Sequence, residues 1–364
     1  MKRLAILLAF SATGVAAEQE AADISQAGIQ SAFRILQKEY IRSNDLTFDE
    51  LNRAALAGLL QRLDFGAELI PRTLEEVPDA LKGVQAELLT PQTGYLRPIA
   101  LTKSEVAEVE RHLRQFIEAK ATHLILDLRT PSPPGGFNDA ADLLSLFVPK
   151  GEVLFKMKQM GQSRSEAETN TREPVWMRQL LVLVDEETNN LGETIAAVLR
   201  LRRQALLIGA PTRGGAVRYE TVPVDADWSL RFARAEVLLA DDSSVFKKGL
   251  KPDFELLLDT AVKHQVFEAS AKTNVKDIIT DRPRPRFNEA ALVADKNPEL
   301  DAYIRRSAGE SLPEDEIKPR DTVLQRALDL ITTRTLFEAA KIDWSRKAPA
   351  GSEPAARKAI PVTQ

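Results

Sequence analysis

Apolar positions follow a helical spacing near the start of the chain. The first stripe, at steps of three and four residues, consists of Ile29, Phe33, Leu36 and Tyr40. A second stripe consists of Leu51, Leu56, Leu59, Leu60 and Leu63. Thr47 and Glu50 have capping-box spacing in front of it. The pattern predicts a helical region over residues 18–70, followed at 71–83 by a connector rich in proline and charge.

The middle of the chain alternates between apolar runs and helical patterns. Residues 123–128 and 180–184 are almost continuously apolar, which is typical of strands covered on both faces of a sheet. A helical pattern follows each run, and residues 205–208 give a further strand. This alternation predicts βαβ units, and therefore an α/β domain with a largely parallel sheet, over residues 84–259.

The last hundred residues contain more proline and charge than the middle region. We expect residues 260–344 to form an extension in which charged linkers surround one helix near 321–337, whose apolar positions share one face. Residues 345–364 consist mainly of alanine, proline and basic residues and are predicted to be a disordered tail.

The first residues have the pattern of an export signal. Lys2 and Arg3 precede an apolar run over residues 4–15, and small residues lead to a cleavage position after Ala17. The run is shorter than the roughly 20 residues that a bilayer-spanning helix needs, so a cleaved signal peptide (residues 1–17) is favoured over an uncleaved anchor. The prediction is a periplasmic or secreted protein that does not span the membrane after cleavage.

Composition excludes several classes of function. The formal net charge of −4 provides no positive excess to neutralise phosphates, so no nucleic-acid partner is expected. The absence of cysteine excludes disulfides, thiolate metal sites and a cysteine nucleophile. His112, His123 and His264 do not have the spacing of zinc ligands. We therefore expect neither a metal nor another cofactor.

Five segments of the middle region occur in an order that resembles the C-terminal processing, or tail-specific, serine peptidases. They are 124–129 with Gly135 and Gly136, 146–151, 181–185 with Glu193, 207–212 with Gly214, and 248–253. The resemblance extends over about residues 24–258 and implies the core fold shared by the ClpP and crotonase groups. That fold agrees with the α/β pattern of the hydrophobic residues.

The catalytic positions of that family are occupied by other residue types here. The resemblance implies a serine nucleophile three residues before Glu193, and a lysine base whose position aligns with residue 215. These positions hold Asn190 and Gly215, and the supporting acidic position holds Leu201. A carboxamide cannot form an acyl-enzyme, so we expect the dyad to be lost and Asn190 to cap the following helix.

Three further features bear on binding. The turn at Gly135 and Gly136 resembles an oxyanion hole, although the preceding prolines lengthen it and donate no N–H group. Arg213 and Arg218 are candidates to line the cleft and hold a carboxylate, or else are solvated at the surface. About 20 residues separate the helical region from residue 84, too few for the PDZ module that such peptidases usually carry.

Three hypotheses follow from these residues. The first is a non-catalytic member of the family that binds a peptide or protein ligand, such as an active peptidase or an envelope protein. The second is an active peptidase or other hydrolase whose nucleophile has moved to Thr188 or Ser132. The third is a scaffold that binds its partner through the residues after 260.

Overall fold

The computed structural model describes residues 25–72, 82–131, 133–161, 164–279, 297–309 and 319–340. These ranges leave out the predicted signal peptide, Ser132 and the predicted tail. They also leave out most of the connector and most of the charged linkers. The chain divides into two compact units, residues 1–68 and 69–364. In the described ranges, no helix has the length and apolar character needed to cross a membrane.

The first unit contains helices α1 (Gln26–Glu39) and α2 (Phe48–Leu63). The Ser25 hydroxyl accepts a hydrogen bond from the Gly28 N–H group at 3.1 Å, and the Thr47 hydroxyl accepts one from the Glu50 N–H group at 3.1 Å. These bonds satisfy N–H groups that have no partner inside the helices. The helical prediction is therefore confirmed for this region, but it is wrong at its end, where Ala67–Pro71 form strand β1.

Strands and helices alternate through the second unit. The remaining strands are β2 (Val84–Thr90), β3 (Thr93–Pro98), β4 (His123–Asp127), β5 (Val153–Gln159), β6 (Glu166–Thr169), β7 (Gln179–Val184), β8 (Leu206–Gly209), β9 (Val217–Pro223), β10 (Trp228–Leu238) and β11 (Phe254–Glu255). The remaining helices are α3 (Lys103–Glu118), α4 (Phe137–Ser145), α5 (Leu191–Arg203), α6 (Thr260–Lys272), α7 (Pro298–Ser307) and α8 (Thr322–Ala340). The predicted α/β class is confirmed.

The described strands form two sheets. The larger has the order β11-β8-β7-β4-β3-β2, in which β2 is antiparallel to β3 and the other pairs are parallel. The smaller has the order β1-β10-β5-β6, and β9 forms an antiparallel hairpin with β10. Because β4, β7 and β8 are parallel neighbours, the loops that follow them lie at one edge of the larger sheet.

The central strands are continuously apolar because both of their faces are covered. Leu124 and Val182 lie in a core with α3, α4 and α5, whereas Ile125 and Leu183 lie in a second core with α6 and α8. Alternating residues of one strand therefore belong to opposite cores.

A buried ion pair joins α8 to the end of β4. Asp321, directly before α8, accepts hydrogen bonds from the Arg129 guanidinium at 3.1 and 2.6 Å, and both side chains are almost completely buried. Asp127 accepts from the same guanidinium at 2.7 Å. Residues on both sides of the expected boundary at 259 therefore share one core.

Candidate functional site

A cavity of about 540 Å³ lies where α5 begins. Its lining comes from the turn before α4, from the first residues of α5 and from the β9–β10 hairpin. Gly135, Gly136, Asn190 and Arg218 all line it. The fold therefore brings together the oxyanion-like turn, the nucleophile position and one of the two predicted arginines.

Asn190 occupies a strained turn between β7 and α5. Its backbone has φ 48° and ψ −103°, a conformation that side-chain-bearing residues rarely adopt. The residue stands at the N-cap position, but its side chain makes no capping hydrogen bond, so the predicted capping role is wrong. Its Oδ1 atom is buried and has no hydrogen-bond partner among the described residues. A buried acceptor without a donor costs about 1–3 kcal/mol, which a ligand N–H group could recover.

The side chain of Asn189 fills the space beside Gly215. Its Oδ1 atom accepts a hydrogen bond from the Asn190 N–H group at 2.8 Å. A Cβ atom at position 215 would lie 1.8 Å from that same oxygen. Position 215 therefore lacks a base and also lacks the room for one. Sequence reasoning missed Asn189, because nothing in the local pattern indicates a contact between positions 189 and 215.

Glu193 holds the loop after β8 against the start of α5. Its fully buried carboxylate accepts hydrogen bonds from the N–H groups of Gly214 and Gly215, at 2.7 and 2.6 Å, and from the Thr212 hydroxyl. Burial raises the pKa of this carboxyl group, and the hydrogen bonds oppose that rise. Glu193 does not line the cavity among the described residues, so its contacts are those of a loop anchor.

The glycine turn is fixed by its surroundings. Gly135 has φ 144°, and a Cβ atom there would lie 2.4 Å from the Leu101 carbonyl oxygen, so only glycine fits. The Gly136 N–H group donates to Asp139 Oδ2 at 2.9 Å. An oxyanion at this turn would have to compete with a carboxylate for that N–H group.

Thr188 and Arg213 are not among the described residues that line the cavity. Thr188 is fully buried, and its hydroxyl donates to the Leu128 carbonyl oxygen at 3.0 Å and accepts from the Asp185 N–H group at 2.9 Å. Ser132 is outside the described residues. Arg213 is exposed and is not among the described residues that line the cavity, which fits the alternative of a solvated surface position.

Leu201, at the supporting acidic position, is 40% exposed near the end of α5. A leucine has no group that could orient a base. The structure therefore shows no polar contact that links this position to the cavity.

The hairpin contributes a cationic and aromatic wall that the sequence did not reveal. Arg231 on β10 stacks over the Tyr219 ring on β9, with 4.0 Å between the guanidinium carbon and the ring centroid. Both residues line the cavity together with Arg218. Alternate residues of a strand share one face, and this was the signal available for β9 and β10. It does not show which side chains meet across the hairpin unless the pairing of the two strands is known.

Comparisons with known proteins find a family match over the middle of the chain. The sequence profile of Peptidase family S41 matches residues 92–256, which include every segment that lines the cavity. A carboxyl-terminal-processing protease of Synechocystis sp. is 27% identical over 241 residues, covering 63% of this chain and 55% of that protein. The carboxy-terminal processing protease CtpA of Bacillus subtilis is 25% identical over 221 residues, covering 60% of this chain and 44% of that protein. The chain thus spans about half the length of these relatives.

Solved structures show more distant similarity. A candidate peptidase from Parabacteroides merdae is 16% identical, with a TM-score of 0.49, over 69% of this chain and 89% of that chain. The photosystem II D1 C-terminal processing protease is 19% identical, with a TM-score of 0.39, over 52% of this chain and 48% of that chain. The match of the family profile to residues 92–256 identifies this part of the chain as a domain of peptidase family S41.

Proposed function

We propose that the S41 domain binds a peptide or a protein segment in the cavity beside Asn190 and does not hydrolyse it. The observation that carries this proposal is the buried, unpaired Oδ1 atom of Asn190 at the nucleophile position. A carboxamide oxygen there accepts a hydrogen bond from a backbone N–H group but cannot attack a carbonyl carbon.

The opposite wall of the cavity supports binding of an anionic group. Arg218 and Arg231 lie on the hairpin that closes the cavity, and the Tyr219 ring supports the Arg231 guanidinium. Arginine forms paired, charge-assisted hydrogen bonds with carboxylates. The ligand is therefore a peptide that presents a carboxylate, either an acidic side chain or the C-terminal group, while its backbone donates to Asn190. A protein partner, such as an active peptidase or an envelope protein, would offer the same segment.

The contacts of the other hydroxyl groups count against a relocated nucleophile. Thr188 points into the protein interior and is engaged on both its donor and acceptor sides. Thr221 lines the cavity, but among the described residues it makes no hydrogen bond to a base. Ser132 is tested by mutation instead, because it lies outside the described residues.

Binding and hydrolysis are separated by two assays on the purified protein. Fluorescence anisotropy measures binding of a labelled peptide with a free C-terminal carboxylate, and its amidated form is the control. We expect Asn190→Ala to weaken binding by about fivefold, since one neutral hydrogen bond contributes about 1 kcal/mol. Arg218→Gln should weaken the carboxylate form more than the amidated form.

Mass spectrometry of the same peptides measures hydrolysis. The proposal expects no cleavage by the wild-type protein. Cleavage that copurifies with the wild type and disappears in Ser132→Ala or Thr188→Ala would establish an active hydrolase and refute the proposal.

We also propose that the protein is exported after cleavage behind Ala17, on the basis of the basic and apolar residues at its start. Expression in a bacterial host, fractionation and N-terminal sequencing test this. A mature chain beginning at Glu18 outside the cytoplasm is expected, whereas an uncut cytoplasmic chain would contradict it.

A further inference from the structure

We call the cavity beside Asn190 and the glycine turn the S41 cavity. A second cavity, of about 870 Å³, lies at the other end of the strands. His123, Gln179 and Leu206, at the starts of β4, β7 and β8, form one side of it, and residues of α8 form the other. The S41 cavity is built by residues that follow these strands, so the two cavities are separate. The volume lies within the roughly 300–1,000 Å³ of small-molecule sites.

Cationic side chains dominate the polar lining of this cavity. We define the basic pocket by Lys120, His123, Arg178, Arg203 and Arg334, all of which line it. Among the described residues, no aspartate or glutamate lines it. This concentration of positive charge contrasts with a chain whose net charge is −4. It therefore reflects the folded arrangement, since the overall composition would favour neither sign strongly.

Arg203 is held in the pocket by neutral groups. Its guanidinium donates to the carbonyl oxygens of Phe147, Trp176 and Arg178 at 2.6, 2.8 and 3.0 Å. Burial lowers the pKa of Arg203, since carbonyl oxygens do not fully replace water around the charge. Arg178 likewise donates to the Ala121 carbonyl oxygen, so the two guanidinium groups are fixed in place without a neighbouring carboxylate.

Arg334 closes the pocket from α8. It pairs with Glu338 at 2.8 Å and donates to Gln179 Oε1 at 3.1 Å, which ties α8 to the start of β7. Of the four Lys and Arg side chains in the pocket, it alone has a carboxylate partner among the described residues. Burial and then the charge of Arg334 lower the pKa of His123, which favours its neutral form and leaves the Lys and Arg side chains as the positive charges of the pocket.

We propose that the basic pocket binds a small, multiply charged anion whose oxygens come from phosphate or carboxylate groups. Such a ligand would place negative charge next to Lys120, Arg178, Arg203 and Arg334, and so offset the electrostatic cost of holding these cations together. Arginine side chains fixed by carbonyl groups are already oriented, so little side-chain entropy is lost when the anion binds. Because Arg334 is on α8, binding also fastens that helix to the sheet.

Isothermal titration calorimetry of the full chain tests the proposal, with inorganic phosphate and citrate as separate probes. Saturable 1:1 binding of at least one probe is expected at low ionic strength, weakening as salt is added. Phosphate binding alone would indicate a phosphate-bearing ligand, and citrate binding alone a polycarboxylate.

Two variants remove charge from the pocket without touching the core. Lys120→Asn keeps a residue that tolerates the positive φ of this position, 63°, and Arg334→Gln shortens an exposed side chain. Each should weaken binding of the probe by about fivefold or more, because a charge-assisted hydrogen bond is lost. Arg111→Gln, which removes the same charge from the exposed face of α3, is the matched control and should leave the affinity unchanged.

Three results would overturn the proposal. One is the absence of saturable binding of both probes at low salt. Another is equal affinity in the wild type, Lys120→Asn and Arg334→Gln, each shown by thermal unfolding to be folded. The third is binding of a polyglutamate peptide when neither phosphate nor citrate binds, which would make the pocket a docking site for an acidic protein segment.

Discussion

Replacing Gly215 with alanine tests its contact with the Asn189 carboxamide, which occupies the space that a side chain at position 215 would need. The new Cβ atom would lie 1.8 Å from Asn189 Oδ1 and 2.9 Å from its Cγ atom, so the carboxamide must rotate away. That movement breaks its hydrogen bond with the Asn190 N–H group, which contributes about 1 kcal/mol, and strains a packed region by about 1–3 kcal/mol. Alanine restricts the unfolded chain and recovers about 0.4–1 kcal/mol. We expect a net loss of about 1–3.5 kcal/mol in the free energy of unfolding.

A double-mutant cycle isolates this contact. In an Asn189→Ala background the obstructing oxygen is absent, so Gly215→Ala should be neutral or slightly stabilising, and the coupling energy should be about 1 kcal/mol or more. Urea unfolding followed by fluorescence of the fully buried Trp176 reports on the unit that contains the cavity. Gly136→Ala is the control, because its Cβ atom would have its nearest neighbour at an ordinary 3.5 Å. An equal cost of Gly215→Ala in both backgrounds would refute the reasoning.

The same contact bears on a variant that introduces a serine at position 190 and a lysine at position 215. Asn190→Ser with Gly215→Lys supplies a nucleophile and a base, but the lysine side chain meets the Asn189 carboxamide. We expect hydrolysis of a casein or peptide substrate only when Asn189→Ala is added to this pair. Equal activity of the double and triple variants would show that Asn189 does not obstruct the base position.

Three further predictions concern the buried charges of the second unit, and urea unfolding measures each. Asp321→Asn keeps a side-chain oxygen for the cap of α8 but removes the ion pair with Arg129. We expect the free energy of unfolding to fall by about 2–3 kcal/mol and hydrogen exchange in α8 to become faster. An unchanged urea midpoint would contradict this prediction. The buried Asp185 carboxylate lies 2.5 Å from the Lys263 Nζ atom. Lys263→Met removes this charge partner and should lower the free energy of unfolding by about 3 kcal/mol. The loss should be smaller when Asp185→Leu is added, because no buried carboxylate is then left unpaired at that position. Burial alone would raise the pKa of Asp127, but the charge and hydrogen bonds of Arg129 hold it below its usual range. Its folded pKa is thus below its unfolded pKa, so the stability advantage of the wild type over Asp127→Asn should be full near neutral pH and shrink below about pH 4; a constant difference would contradict this.

Local patterns were enough to predict the central strands of the larger sheet and the class of the fold. A run such as residues 180–184 is apolar at every position because both faces of β7 are covered, and this requirement is visible in the sequence. The helix cap at Thr47 could also be predicted from the sequence, because its hydrogen bond joins residues only three positions apart. The capping prediction for Asn190 failed, since this residue has a positive φ instead of the β-region backbone typical of a capping residue, and its side chain makes no capping hydrogen bond.

The candidate site could be located but not completed from the sequence. The order of five short motifs aligns Asn190, Gly215 and the glycine turn with the family pattern. The structure brings Asn190 and the glycine turn to one cavity. The contributions of Tyr219 and Arg231 depend on how β9 pairs with β10, and the pairing includes an irregularity between Ala233 and Ala235. Without the register of β9 and β10, the sequence does not show which of their residues face the cavity.

The amino-acid sequence by itself determined which chemical groups stand at the positions that the family resemblance aligns with a nucleophile and a base. Asn190 and Gly215 contain neither a hydroxyl nor a basic amine, whatever the fold. Only the tertiary structure decided what lies beside Gly215 and where the cations gather. The Asn189 carboxamide lies against Gly215, and Lys120 and Arg334 line the same cavity, because parallel strands bring distant parts of the chain to common edges of one sheet. Such contacts arise from the alignment of whole elements, and sequence spacing does not record that alignment.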